Sequence, residues 1–140
     1  MVTLTRRIEF AASHRYDNPA FSEEENRRIF GKCNNPHGHG HNYTLEVTVA
    51  GRPDAKTGMV LDLSELKDLL DREVMARMDH RHLNFEVPEL KGKIPTCENV
   101  ALVVWNLLAP KIPSGKLQRL RLYEAPDLFA EVTSSAGARP

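Results

Sequence analysis

Between His41 and Ala50 every second position from Tyr43 onward is apolar: Tyr43, Leu45, Val47 and Val49 share one parity. A period of two marks an extended chain with one face buried and the other wet. The same signature recurs in three more places. Leu4 to Ser13 puts Ile8, Phe10 and Ala12 on one face, Leu117 to Ala125 turns Leu120 and Leu122 inward, and Leu128 to Thr133 is short and apolar. Two stretches carry helical spacing instead. In Leu63 to Met78 the stripe is Leu63, Leu66, Leu70 and Val74, with Asp62 as N-cap and Glu65 completing a capping box. In Cys97 to Ala109 the stripe is Val100, Val103, Val104, Leu107 and Leu108, capped by Thr96 and stopped by Pro110. The order is ββααββ. It predicts an α+β domain over 1–140 in which a four-stranded antiparallel sheet carries two helices on one face. The bare face needs a cover, so an oligomer is expected. Asn18 to Lys32 is a long charged insertion, and its run Glu23–Arg28 reads as a solvated helix turn. Residues 134–140 are small and polar and are expected to fray.

Lys plus Arg equals Asp plus Glu at 19 each. That balance leaves no long-range field for nucleic acid or an anionic membrane, so neither is expected as a partner. No apolar run approaches the ~20 residues of a membrane helix, and Met1 to Phe10 lacks the apolar stretch of a signal peptide. A cytoplasmic protein is expected, with Cys33 and Cys97 as free thiols.

The chemistry concentrates at Gly38-His39-Gly40-His41, where the second strand begins. Residues two apart in a strand project to one side, so His39 and His41 present paired imidazoles. His14 ends the first strand with the parity of Phe10 and Ala12. If these strands are neighbours, three imidazoles converge and leave one position open, the donor set of a catalytic zinc site. Spacing by itself does not separate zinc from iron or copper. Cys33 follows Lys32, and a thiol near a cation or metal would be lowered into a usable thiolate. The other reading is a buried apolar cysteine. Asp79-His80 is a carboxylate–imidazole pair suited to proton transfer, or a helix C-terminus that favours a cation. Glu124 shares the parity of Leu120 and Leu122. It can accept two hydrogen bonds from an amidine-like ring edge, or it is a solvated strand end. Glu98 in a first helical turn is explained by the helix dipole alone.

Taken together, Phe10-Ala11-Ala12-Ser13-His14-Arg15, Phe30-Gly31-Lys32-Cys33-Asn34-Asn35-Pro36, Gly38-His39-Gly40-His41-Asn42-Tyr43, Thr57-Gly58-Met59-Val60, Asp79-His80, Thr96-Cys97-Glu98-Asn99-Val100 and Tyr123-Glu124 resemble the 6-pyruvoyl-tetrahydropterin synthase family. The resemblance runs from about Ile8 to Val132. It implies the T-fold, whose trimers close a barrel and stack in pairs into a homohexamer with sites at subunit interfaces. It implies zinc on His14, His39 and His41, and Cys33 as the base. Asp79 and His80 would be its relay partners from a neighbouring subunit. Glu124 and, secondarily, Glu98 would anchor the pterin, with Thr96 nearby. The substrate implied is 7,8-dihydroneopterin triphosphate and the product 6-pyruvoyl-tetrahydropterin, magnesium accompanying the triphosphate. The neighbouring branch, 6-carboxy-tetrahydropterin synthases of the queuosine pathway, shares the metal triad and thiolate but also expels acetaldehyde. The long insertion and Cys33-Asn34-Asn35-Pro36 resemble the pyruvoyl enzymes more. A folate-pathway branch with Glu in place of Cys33 fits less well. Three residues depart from the family pattern: His37, which would compete as a ligand, His82 beside the relay pair, and Cys97 in place of a hydroxyl residue.

Overall fold

A computed structural model describes residues 1–134. The alternating segments form one sheet. Strand β1 (Val2–His14) pairs antiparallel with β2 (His39–Gly51), β2 with β4 (Lys116–Ala125), and β4 with β5 (Leu128–Thr133). The expected inward parity holds: Phe10, Tyr43, Leu45, Val47, Val49, Leu120 and Leu122 are buried in a single core. Helix α2 (Leu63–Leu70) and helix α5 (Cys97–Leu108) supply the other half of that core through Leu66, Leu69, Leu70, Val100, Val104 and Leu108. Thr96 caps α5 by accepting from the Asn99 N–H at 3.2 Å.

The sheet is not purely four-stranded and antiparallel. Among the described residues it has five strands in the order β3-β1-β2-β4-β5. The addition, β3 (Arg81–His82), runs parallel to β1 against Ala12 and Ser13. It is too short for any hydropathic period. Bonding just before it sets its place, since the His80 N–H donates to the Ala11 carbonyl at 2.6 Å and the Asp79 carboxylate accepts the Ala11 N–H at 3.0 Å. The short helix α4 (Leu83–Glu86) follows directly.

The stretch from Leu63 to Met78 is helical but not uniform. A π-helical turn, Asp71–Met75, separates α2 from the last turn, α3 (Ala76–Met78). Leu63 is 48% exposed and does not belong to the buried stripe, because the first residue after the cap faces solvent. Leu69 joins the stripe instead. Asp62 caps by accepting from the Ser64 N–H at 2.7 Å, without the reciprocal bond expected of Glu65. The reciprocal box forms at Ser22 and Glu25. It opens helix α1 (Glu23–Phe30), which gives the long insertion its structure. Of the tail 134–140, the part beyond Ser134 lies outside the described residues.

The π turn buries Glu73, only 4% exposed. Its carboxylate accepts from Lys111 Nζ at 2.7 Å and from Arg77 at 3.1 Å, which hold it below the usual carboxylate range, Lys111 most strongly. These bonds tie α2–α3 to the turn after α5. Glu73→Ala leaves two cations without their shared partner and is expected to cost about 1–3 kcal/mol. A urea midpoint that falls without a change in slope would be the sign of it.

The opposite face of the sheet is polar and internally paired. Thr5 and Thr48 share a bond at 2.7 Å, Arg7 meets Glu46 at 2.7 Å, and Arg121 meets Glu131 at 2.6 Å.

Candidate metal centre

The register of β1 on β2 places His14 directly opposite His39, with His41 one pleat further along opposite Ala12. All three imidazoles point to the core side. Their ligand atoms lie within 4.8 Å of one another, the only such cluster of three or more metal-binding side chains among the described residues. His14 Nε2 and His39 Nε2 are 3.1 Å apart. Gly38 makes this approach feasible. It sits at φ 74°, and a Cβ there would meet the His14 carbonyl at 3.0 Å and His82 Nε2 at 3.1 Å. Below the triangle the Phe10 and Tyr43 rings stack at 5.0 Å and form its floor.

His14 is fully buried, and its Nδ1 lies 3.0 Å from the Pro95 carbonyl and 3.1 Å from the Tyr43 hydroxyl. A carbonyl only accepts, so Nδ1 carries the proton and Nε2 keeps its lone pair. Burial, reinforced by His39 and His41, lowers the His14 pKa to about 4. Burial also lowers His41, against the opposing pull of Glu124. Both rings are therefore neutral near pH 7, the form that binds a metal. His41 Nε2 is buried without a hydrogen bond, although Glu124 Oε1 is 3.1 Å away. Ligands held at ~2.0–2.1 Å around a tetrahedral ion stand roughly 3.3 Å apart, close to the 3.1 Å between the His14 and His39 nitrogens. The residues present fit a divalent ion.

A pH dependence follows. His14 has a folded pKa near 4, below its ordinary 6.5. Between those values the unfolded chain binds the extra proton, so this contribution to stability is complete above pH 6.5 and is lost as pH falls toward 4. Denaturant midpoints measured from pH 7 down to 4.5 are expected to fall through that window. A flat profile would contradict the buried neutral ring.

Cys33 sits on a 3₁₀ turn, Gly31–Asn34, that follows α1. The Tyr16 N–H donates to the Cys33 carbonyl at 2.8 Å. Buried Asn34 donates to the Tyr16 carbonyl at 2.8 Å, and Arg15 Nε donates to the Asn34 carbonyl at 3.1 Å. These bonds fix the turn to the segment just after His14. Burial and then the Glu124 carboxylate raise the Cys33 thiol, so the lowering expected from Lys32 is not found in the protein groups alone. Cys97, by contrast, is core: it is buried, its thiol meets the Leu122 carbonyl at 3.1 Å, and burial pushes its pKa to about 11.

Asp79 and His80 form their pair, Oδ1 to Nδ1 at 3.0 Å. The Ala11 N–H, with help from His80, keeps Asp79 below the ordinary carboxylate value. His80 has φ 61° and is 82% exposed in the side chain, an unfavourable backbone state for a non-glycine residue. The pair, across β1 from β2, lines an open cavity with His41 and Glu124. Cys33 is not among the residues lining that cavity. Glu124 comes to the histidine triangle, whereas Glu98 is exposed on the first turn of α5 and Thr96 is engaged as its cap. His37 is exposed and outside the histidine cluster, so it does not compete as a ligand. His82 caps α4, its Nδ1 accepting from Asn84 at 3.3 Å.

Two contributors escaped the sequence reading. Tyr16 places its ring 5.0 Å from His14 and its hydroxyl 3.5 Å from Glu124 Oε2; its parity with His14 was an available signal. Asn84 clamps Arg15 as a strand would, accepting its N–H at 2.8 Å and donating to its carbonyl at 2.7 Å. Nothing in the local pattern marks it.

An α+β sheet that closes three histidines from two strand ends around one point, with a carboxylate and a cysteine-bearing turn beside them, defines a T-fold protein whose histidines could hold a metal ion. Residues 3–135 match the family model for 6-pyruvoyl tetrahydropterin synthase, and the chain belongs to that family. The 6-pyruvoyl tetrahydrobiopterin synthase of Homo sapiens is 46% identical over 121 residues, covering 86% of this chain and 83% of its own. The 6-carboxy-5,6,7,8-tetrahydropterin synthase of Rickettsia conorii is 33% identical over 150 residues, covering 94% and 100%. The structure of Caenorhabditis elegans 6-pyruvoyl tetrahydropterin synthase matches with a TM-score of 0.89 at 36% identity over 95% of each chain.

Proposed function

We propose that this protein converts 7,8-dihydroneopterin triphosphate to 6-pyruvoyl-tetrahydropterin, with loss of triphosphate, as a zinc-dependent carbon–oxygen lyase. The observation that carries the reading is the three-histidine cluster with the Cys33 turn fastened to the same strand end. The greater likeness to the Homo sapiens pyruvoyl enzyme than to the Rickettsia carboxy enzyme, 46% against 33%, supports the pyruvoyl product.

His14, His39 and His41 would hold zinc. Bound there, zinc supplies Lewis acidity toward the side-chain hydroxyls of the substrate and a positive charge that opposes the rise in the Cys33 thiol. Cys33 takes the proton from the side-chain carbon. Asp79 and His80, from a neighbouring subunit, pass that proton on, His80 held in orientation by Asp79. Glu124 and Glu98, with Thr96, hold the amino-oxo edge of the ring. The side chain is oxidised as the ring is reduced, so no outside electron carrier is needed. The carbon–oxygen bond to triphosphate breaks with its electron pair leaving on the phosphate, where magnesium would accompany it. A homohexamer in the cytoplasm is the state in which we place this chemistry, and among the described residues no helix is long and apolar enough to cross a membrane. The test is triphosphate release by chelator-treated protein before and after zinc is restored. Release only with zinc supports the proposal, and equal release without metal refutes it.

A further inference from the structure

Glu124 lies at an irregularity in the pairing of β4 with β5, between Tyr123 and Ala125. The strand keeps its register with β2 through Tyr123, so Glu124 holds the inward parity of Leu120 and Leu122, and its carboxylate reaches the histidine cluster. Its side chain is only 10% exposed, yet among the described residues its ionic partners are His41 at 3.1 Å and His14 at 4.0 Å, with no Lys or Arg. A carboxylate this enclosed, with no Lys or Arg beside it, has no fixed counter-charge in the described residues. Its two oxygens are differently placed. Oε2 is 3.5 Å from the Tyr16 hydroxyl, while Oε1 stands off His41 and His14 at distances that bracket the ~3.3 Å between neighbouring ligands of a tetrahedral ion.

We propose that Glu124 closes the metal centre in the substrate-free enzyme. Oε1 takes the position left open by the three histidines, and substrate oxygens displace it, freeing the carboxylate for the pterin. The ion is the counter-charge that the enclosed carboxylate otherwise lacks. This rests on the metal-centre reading and adds a ligand to it, so zinc affinity and the activity assay can fail separately.

The experiment is a zinc competition titration of the full-length protein against a chromogenic chelator, without substrate, for wild type, Glu124→Gln and Glu124→Ala. Visible spectra of the cobalt-substituted proteins are taken alongside. The proposal expects both variants to bind zinc about 10-fold or more weakly, the scale on which partners of a metal site act. It also expects the cobalt bands to change. Wild-type affinity and an unchanged cobalt spectrum in both variants would overturn it. Product formation by wild type is read in parallel. An inactive wild type with Glu124-dependent zinc affinity would remove the proposed reaction and leave the closure standing. An active wild type whose zinc affinity neither substitution moves would remove the closure alone.

Discussion

Cys33→Ala is expected to lower turnover of 7,8-dihydroneopterin triphosphate by ~10²–10⁴-fold, the range of a positioned general base, while zinc stays bound at the wild-type ratio. The reason is the division of labour around the strand end. The three histidines come from β1 and β2, and Cys33 comes from the 3₁₀ turn after α1, held by backbone and Asn34 bonds that do not use its side chain. Removing the thiol therefore leaves both the turn and the histidine triangle in place. Turnover within a few-fold of wild type would exclude the thiol as base. Loss of zinc with loss of activity would make Cys33 a part of the metal site instead.

His41→Ala should act on the other half. His41, like His39, is only partly buried, so its removal opens little of the core, in contrast to His14, whose ring is fully buried against Pro95 and Tyr43. Zinc affinity is expected to fall at least about tenfold, since the variant keeps two imidazoles and only the Glu124 carboxylate can complete a three-ligand set. Activity should fall with it and the far-ultraviolet circular dichroism should stay unchanged. Wild-type zinc affinity in this variant would show that the ion is held elsewhere.

The elements that were readable are those whose signal is local. Tyr43, Leu45, Val47 and Val49 announce a strand because alternation is a property of the strand itself, and all four are fully buried. His14, His39 and His41 were readable through parity once the two strands were taken as neighbours, and the antiparallel register brings them together. Thr96 caps as expected because an N-cap bond spans only three residues. What escaped depends on distant partners. Strand β3 is held by Ala11, and Asn84 acts on Arg15, both far away in sequence. Asp62 followed by Glu65 has the letters of a capping box, but only half of it forms, whereas the Ser22 and Glu25 box went unread inside a charged run. Glu124 was legible as an inward carboxylate. That it faces His41 depends on how β4 packs against β2, and the period of β4 says nothing of that.

The centre also shows why the folded protein alone does not activate Cys33. Burial and Glu124 raise the thiol, and no cationic side chain offsets them in its pKa shift. A metal ion at the histidines would be the nearby positive charge, and it would satisfy the buried Glu124 as well. Metal binding, the state of the thiol and the placement of Glu124 would thus be parts of one electrostatic arrangement.

The most direct measurement of the central claim is the mass spectrum of products after zinc-loaded protein is incubated with 7,8-dihydroneopterin triphosphate. The account predicts 6-pyruvoyl-tetrahydropterin and triphosphate, with no acetaldehyde. A carboxy-tetrahydropterin with stoichiometric acetaldehyde, or unchanged substrate, would contradict it.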